Sequence, residues 1–301
     1  MSNIWVIRPG ALGDTILTLP LLSTLKKANP RAEIKLLGSR AYHEIVPDSF
    51  SFKPVDDRES VWLFQSEGIA GMPNTEKPDE AYVILRNPET VVSNLEAAGV
   101  RNILQANPSP VLGQHLVETI HARLGLPCPD RYPVLRINKM VKTENLVWVH
   151  PGSGSSRKTV PVTLFAEISR IMHKKLGCKI VITLGEADKE IKSHSQWKAW
   201  IDESHPTVIE NGSLKELATI LAASRTFIGN DSGISHLASG LGIQSILFFT
   251  ETDPVQWAPW VRTDQLKILD YRSSGLPGDF ANEASRIVGS TLENFFQNTT
   301  L

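Results

Sequence analysis

Short apolar runs alternate with longer segments in which apolar residues recur every three or four positions, and this alternation runs through most of the chain. In the first half, the runs Ile4–Ile7, Glu33–Leu37, Tyr82–Leu85 and Ile103–Leu104 predict strands. The segments from about Thr15 to Ala28, Pro88 to Ala98 and Gln114 to Leu124 predict helices, stopped by Asn29-Pro30, by Gly99, and by Gly125 with Pro127. Asp56 to Glu80 is polar and punctuated by Gly, Pro and Asn, which predicts irregular backbone. The polar segment Ile137–Asn145 has neither period and reads as a linker. Beyond it the alternation restarts. Strands are expected at Leu146–Val149, Lys179–Leu184, Thr207–Ile209, Thr226–Ile228, Ser245–Phe249 and Leu266–Leu269. Helices are expected at Thr163–Lys175, Asp188–Trp200, Leu214–Ala223 and Asn282–Asn298.

Strands that are apolar throughout, with helices between them, imply an α/β fold of parallel sheets covered on both faces. The expected organisation is two Rossmann-like domains, 1–140 and 141–280, facing a cleft, with a C-terminal helix at 281–301 that packs back on the first. In such sheets ligands bind beyond the carboxyl ends of the strands, so the strand-end loops are where chemistry is expected.

Composition narrows the function classes. The 301 residues carry a net charge of −1 with acids and bases well mixed, which gives no footprint for nucleic acid. The two cysteines, Cys128 and Cys178, have no metal or disulfide spacing, and no run approaches membrane-spanning length. A cytoplasmic protein is expected, with peripheral contact at the inner membrane left open.

Four strand-end loops carry the candidate residues. The first, Arg8-Pro9-Gly10-Ala11-Leu12-Gly13-Asp14, combines two glycines with a lone carboxylate at a helix start, where Asp14 is either an N-cap or a base placed for proton abstraction. The second runs from His150 through Gly152, Ser153 and Gly154 to Arg157 and Lys158. It is either plain surface or a loop whose N–H groups suit an anion that the two cations would neutralise, although neither GxxxxGK[ST] nor GxGxxG is present. The third, Gly185-Glu186-Ala187-Asp188, offers a carboxylate for ribose hydroxyls. In the fourth, an apolar run breaks at Gly229-Asn230-Asp231 and restarts as a small-residue helix bearing Ser232, Gly233, Ser235 and His236. That is either a plain turn capped by Asp231 or Ser232, or a phosphate site at a helix N-terminus. Together the loops favour a nucleoside diphosphate ligand. Trp257 lies in a further loop that would face the cleft, and His150 is as readily structural as functional.

The motifs IRPGALGDTILTLPLL (7–22), HPGSGSSRK (150–158), LGEADKE (184–190), GNDSGISHLASGLG (229–242) and TDPVQWAP (252–259) resemble glycosyltransferase family 9, the heptosyltransferase group with the two-domain GT-B architecture. The resemblance implies an inverting transfer of a heptose-like sugar from a nucleotide-sugar co-substrate such as ADP-heptose, to a lipopolysaccharide-core or related glycan acceptor; with no DxD pair and no His/Asp cluster in the sequence, no metal is expected. It implies Asp14 as general base, Lys158 as the phosphate contact that stabilises the leaving group, and Glu186 on the nucleoside. Ser232, Gly233 and His236 would hold the diphosphate, with Asp231 in the same motif. Arg8, Gly10 and Gly13 would form the acceptor-side loop. One departure is Val160, where many members carry a tryptophan. A nucleotide-sugar epimerase or hydrolase of the same fold, or a non-catalytic sugar-nucleotide-binding module, are the alternatives.

Overall fold

The computed structural model describes residues 2–66, 76–131, 135 and 145–292. They form two compact units. The first comprises the described residues up to Leu135 together with Val255–Trp260, and the second the rest.

The first unit is built from β1 (Asn3–Ile7), α1 (Leu12–Ala28), β2 (Glu33–Gly38), β3 (Ser51–Pro54), β4 (Glu80–Val83), α2 (Glu89–Ala97), β5 (Asn102–Gln105) and α3 (Leu116–Arg123). Its five strands are all parallel in the order β3-β2-β1-β4-β5, with Ile7 opposite Leu37 on one side and Val83 on the other. Trp5, Ile7, Leu37, Ala81 and Val83 pack one face of this sheet on Val91 and Leu95 of α2 and on Trp62 and Leu63 of a short 3₁₀ turn. The region read as irregular therefore contributes a core turn, and β3 was not anticipated. At four residues, beginning Ser51-Phe52-Lys53, β3 is too short to show a period.

The second unit contains β6 (Leu146–His150), α4 (Val162–Leu176), β7 (Lys179–Leu184), α5 (Trp197–Ser204), β8 (Thr207–Glu210), α6 (Leu214–Ala223), β9 (Thr226–Asn230), α7 (Gly233–Gly240), β10 (Gln244–Phe249), α8 (Pro254–Trp257), β11 (Leu266–Asp270) and α9 (Phe280–Ile287); α8 straddles the division. The six strands are parallel in the order β11-β10-β9-β6-β7-β8. Counted from β6, this is the doubly wound order in which the chain leaves the middle of the sheet in both directions. Val147, Val149, Ile180, Ile182, Ile246 and Phe248 meet Leu164, Phe165, Ile168 and Met172 of α4 on one face. Trp148 and Leu247 are buried on the other, as strands covered on both sides require.

Two expectations change. The helix read over Asp188–Trp200 is a 3₁₀ helix, Glu186–Ser193, followed by the separate α5. The polar run of Lys, Glu and Ser before Trp197 offers too few apolar residues to hold a continuous helix on the sheet. The described part of the C-terminal helix belongs to the second unit, where Ala284, Ile287 and Val288 enter the core against α4. The linker at Ile137–Asn145, except for Asn145, and the end of the C-terminal helix lie outside the described residues. Among the described residues no helix is long and apolar enough to cross a membrane.

His121 on α3, 1 % exposed, locks α3 onto α1. Its Nδ1 faces the Val117 carbonyl at 2.7 Å and must carry the proton, so Nε2 accepts from the Thr24 hydroxyl at 3.3 Å. Burial pulls the imidazole below its ordinary value of 6.5, so the folded chain keeps His121 neutral where the unfolded chain is already protonated. The stability this provides is complete above pH 6.5 and is lost as pH falls toward the lower folded value. Thermal melts between about pH 7.5 and about pH 5.5 should therefore show a falling midpoint, with a shallower slope in His121→Gln. An unchanged slope in that variant would remove His121 as the source.

Candidate functional site

In the second unit, β6 and β9 lie side by side, with Val149 opposite Ile228 and His150 opposite Gly229. After β6 the chain turns toward β7, and after β9 it turns toward β10, so the two loops diverge from one point at the carboxyl edge of the sheet. The Gly/Ser loop and the Asn-Asp-Ser turn singled out in the sequence are these two loops.

Asn230, fully buried as the last residue of β9, ties the β6 loop down at both ends. Its Nδ2 donates to the Pro151 carbonyl at 2.7 Å, and its Oδ1 accepts from the Val160 N–H at 3.0 Å. Asp231 fastens the middle. Its carbonyl accepts from Ser153 Oγ at 2.7 Å, and its Oδ2 pairs with Lys158 Nζ at 2.9 Å and accepts from Thr252 Oγ1 at 2.5 Å. Ser232 is the N-cap of α7, accepting from the Ser235 N–H at 3.3 Å, and Ser235 Oγ in turn donates to the Asn230 carbonyl. The plain-turn reading of this segment is thus correct as far as Ser232 goes. Gly233 opens α7 and His236, 5 % exposed, sits one turn in, so the helix N-terminus adjoins the Lys158–Asp231 pair.

Beneath the loop lies a feature that sequence reasoning missed. Asp188 is buried, with Oδ2 accepting from the Gly185 N–H at 2.8 Å. A Cβ on Gly152 would stand 2.0 Å from Asp188 Oδ1, so only glycine lets the loop lie this close. His150 is buried beside it, and its Nδ1 donates to the Thr183 carbonyl at 3.0 Å. Burial lowers the His150 imidazole below its ordinary value, opposed by the charge of Asp188, and the ring is a support for the strand end. Glu186 sits exposed on the 3₁₀ turn after β7, at the same edge of the sheet but not bonded to the cluster among the described residues. Gly154 is exposed at the loop tip, and Val160 is buried in the core.

In the first unit the loop after β1 holds a second ion pair. α1 begins at Leu12, earlier than expected, which puts Gly13 and Asp14 inside its first turn. Asp14 is not a lone carboxylate: Oδ2 accepts from the Ala11 N–H at 3.0 Å, and Oδ1 pairs with Arg8 at 2.6 Å. Arg8 is itself buried, which lowers its guanidinium pKa, opposed by the charge of Asp14, and it reaches the Ile84 carbonyl at the end of the neighbouring strand β4 at 3.5 Å. Gly10 passes so close to the Asp14 side chain that an added Cβ would lie 2.7 Å from its Cβ. Trp257, which the sequence puts in a further strand-end loop, belongs to the first unit.

The two pairs have opposite burial. In the first unit the cation is covered and the anion is open, with side-chain exposures of 9 % for Arg8 and 28 % for Asp14. In the second the anion is covered and the cation is open, at 8 % for Asp231 and 31 % for Lys158. A ligand at the first loop therefore meets a proton acceptor, and one at the second meets an ammonium beside a helix N-terminus.

Residues 113–274, more than half of the chain, match the model of glycosyltransferase family 9 (heptosyltransferase). The fold is shared with solved structures of low sequence identity. ADP-heptose LPS heptosyltransferase II of Escherichia coli is 18 % identical with a TM-score of 0.72, covering 99 % of each chain. A glycosyl transferase family 9 protein of Veillonella parvula is 17 % identical with a TM-score of 0.74, covering 99 % of this chain and 98 % of that one. The iron-containing dodecameric glycosyltransferase TibC of enterotoxigenic Escherichia coli is 15 % identical with a TM-score of 0.57, covering 99 % of this chain and 75 % of that one. Family motifs, two doubly wound parallel sheets and charged loops at their switch points lead to one conclusion: this chain belongs to glycosyltransferase family 9, the heptosyltransferase family, and is a glycosyltransferase of GT-B type.

Proposed function

We propose that the enzyme transfers a heptose-like sugar from a nucleoside diphosphate donor, with ADP-heptose the first candidate, to a hydroxyl of a lipopolysaccharide core or related glycan, by a single displacement with inversion. The observation that carries this reading is the opposite burial of the two ion pairs, which presents an open carboxylate in one unit and an open ammonium in the other. The name of the E. coli neighbour, an ADP-heptose transferase, supports the choice of donor. A glycolipid acceptor would bring the protein to the cytoplasmic face of the inner membrane as a peripheral enzyme.

In the proposed step the acceptor oxygen attacks the anomeric carbon, its proton passes to Asp14, and the bond from that carbon to the phosphate oxygen breaks. The electron pair leaves with the nucleoside diphosphate. Lys158, Ser232, Gly233, His236 and the N–H groups at the start of α7 meet the growing negative charge, and Gly152, Ser153 and Gly154 shape the loop around the phosphates. Glu186 is assigned to the ribose hydroxyls. Arg8 and Gly10 hold Asp14 in place, and Gly13 belongs to the same acceptor-side turn. These donors, Lys158 among them, can stabilise a leaving diphosphate without a metal ion. Among the described residues no group of three or more His, Cys, Asp or Glu is placed to hold a metal ion, although the neighbour TibC contains iron.

A thermal-shift panel of ADP, GDP and UDP, followed by mass spectrometry of transfer from ADP-heptose to a lipopolysaccharide-core acceptor, tests the reading; absence of any nucleotide-dependent shift or product would overturn it. Asp14→Ala should lower kcat on the order of 10²-fold while leaving nucleotide affinity close to wild type, and wild-type turnover would remove Asp14 from the mechanism. Lys158→Ala should weaken nucleotide binding and slow turnover together. Turnover should persist in excess chelator, and a loss reversed by magnesium, manganese or iron would show that a metal takes part.

A further inference from the structure

Asp231 Oδ2 receives donors from two loops, the Lys158 ammonium at 2.9 Å and the Thr252 hydroxyl at 2.5 Å. Thr252 lies in the stretch after β10, Thr250-Glu251-Thr252-Asp253, and each of these four residues reaches a neighbour. Thr250 Oγ1 donates to the Arg157 carbonyl at 2.7 Å, Glu251 pairs with Arg157 at 3.1 Å, and Asp253 pairs with Arg272 at 3.2 Å. The Thr252 hydroxyl is thus held against Asp231 by its loop rather than resting there as a loose rotor.

We propose that Thr252 is a positioning residue for Lys158, setting how readily that ammonium can turn to a phosphate. This rests on reading Lys158 as the phosphate contact. A carboxylate oxygen offers two lone pairs in its plane. With the Thr252 hydroxyl and the Lys158 ammonium both on Oδ2, the two share that oxygen, and the ammonium is aligned by Asp231 without taking all of its charge. Asp231 is covered, so its charge is little screened by water and an unshared Lys158 would bind it more tightly. Removing the hydroxyl draws Lys158 onto the carboxylate and away from a ligand. The residue acts through Lys158 and touches no reacting atom.

Calorimetric titration of the wild-type protein with ADP, GDP and UDP identifies which nucleoside diphosphate binds, and that one is the probe for the variants. Thr252→Val should weaken its affinity about tenfold, the scale of one hydrogen bond to a charged group. Thr252→Ser, which keeps the hydroxyl, should recover most of the loss, and Thr252→Ala stands in if valine is not accommodated. In a Lys158→Ala background Thr252→Val should cost nothing further, a coupling that a merely structural role would not produce. The inference is overturned if Thr252→Val and Thr252→Ala bind like wild type, if serine fails to rescue, or if the loss persists without Lys158. If the wild-type protein binds none of the three nucleotides, the phosphate reading of the site falls and this inference with it. Unaltered affinity in the variants of a nucleotide-binding wild type removes the inference alone.

Discussion

The second unit's site depends on two consecutive buried polar residues at the end of β9. Asn230 ends β9 and Asp231 follows it, both buried, where an unpaired amide or carboxylate would be costly, so each must find partners. The partners come from the neighbouring loop: Pro151, Val160 and Lys158, with Thr252 from a third. A chain satisfying those groups has little freedom in residues 151–160. Breaking one side would leave a buried charge or amide without its complement, which is far worse than never having made the bond.

Sheet order determines where this matters. Because β6 and β9 adjoin while their continuations run in opposite directions, their loops splay apart and leave room that the two ends must bridge through side chains. The first unit has the same topology at β1 and β4, and there too the neighbouring strand end is reached by one charged side chain, Arg8 to the Ile84 carbonyl. What differs is which member of the ion pair is covered. Burying Arg8 opens Asp14, and burying Asp231 opens Lys158. One fold, used twice, thus presents opposite charges at equivalent positions.

Alternation of period made the strands and most helices readable in the sequence, and glycine with acid after each strand marked the loops. Lys179–Leu184 and Leu214–Ala223 come out with the bounds the pattern predicts, because their flanking stops are sharp. The partners were not readable. Asn230 looks like part of a turn signal, and only its burial shows that it works as a clamp. Asp188 sits two positions from the carboxylate chosen for ribose, yet Asp188 is buried under Gly152 while Glu186 is exposed. A single sequence carries no sign of that difference, since it arises from how the 3₁₀ turn is wound. The pairing of Arg8 with Asp14 follows from α1 starting at Leu12, and helix starts are the least certain feature of any periodic pattern.

A diphosphate entering beside Lys158, as proposed, would also meet Asp231. Two like unit charges about 4 Å apart repel by roughly 4 kcal/mol at the effective dielectric of a protein surface, so one ammonium could not serve both without help. The help is distributed among neutral donors. Thr252 shares Asp231 Oδ2 so that Lys158 is not drawn wholly onto it, Ser153 donates to the Asp231 carbonyl, and the first turn of α7 has N–H groups without intrahelical partners. Nearby Arg157 spends its charge on Glu251. The site is therefore a set of shared donors around one covered carboxylate rather than a positive patch. On the proposed reading, that is how a chain with a net charge of −1 and no basic cluster would hold an anion without attracting polyanions indiscriminately.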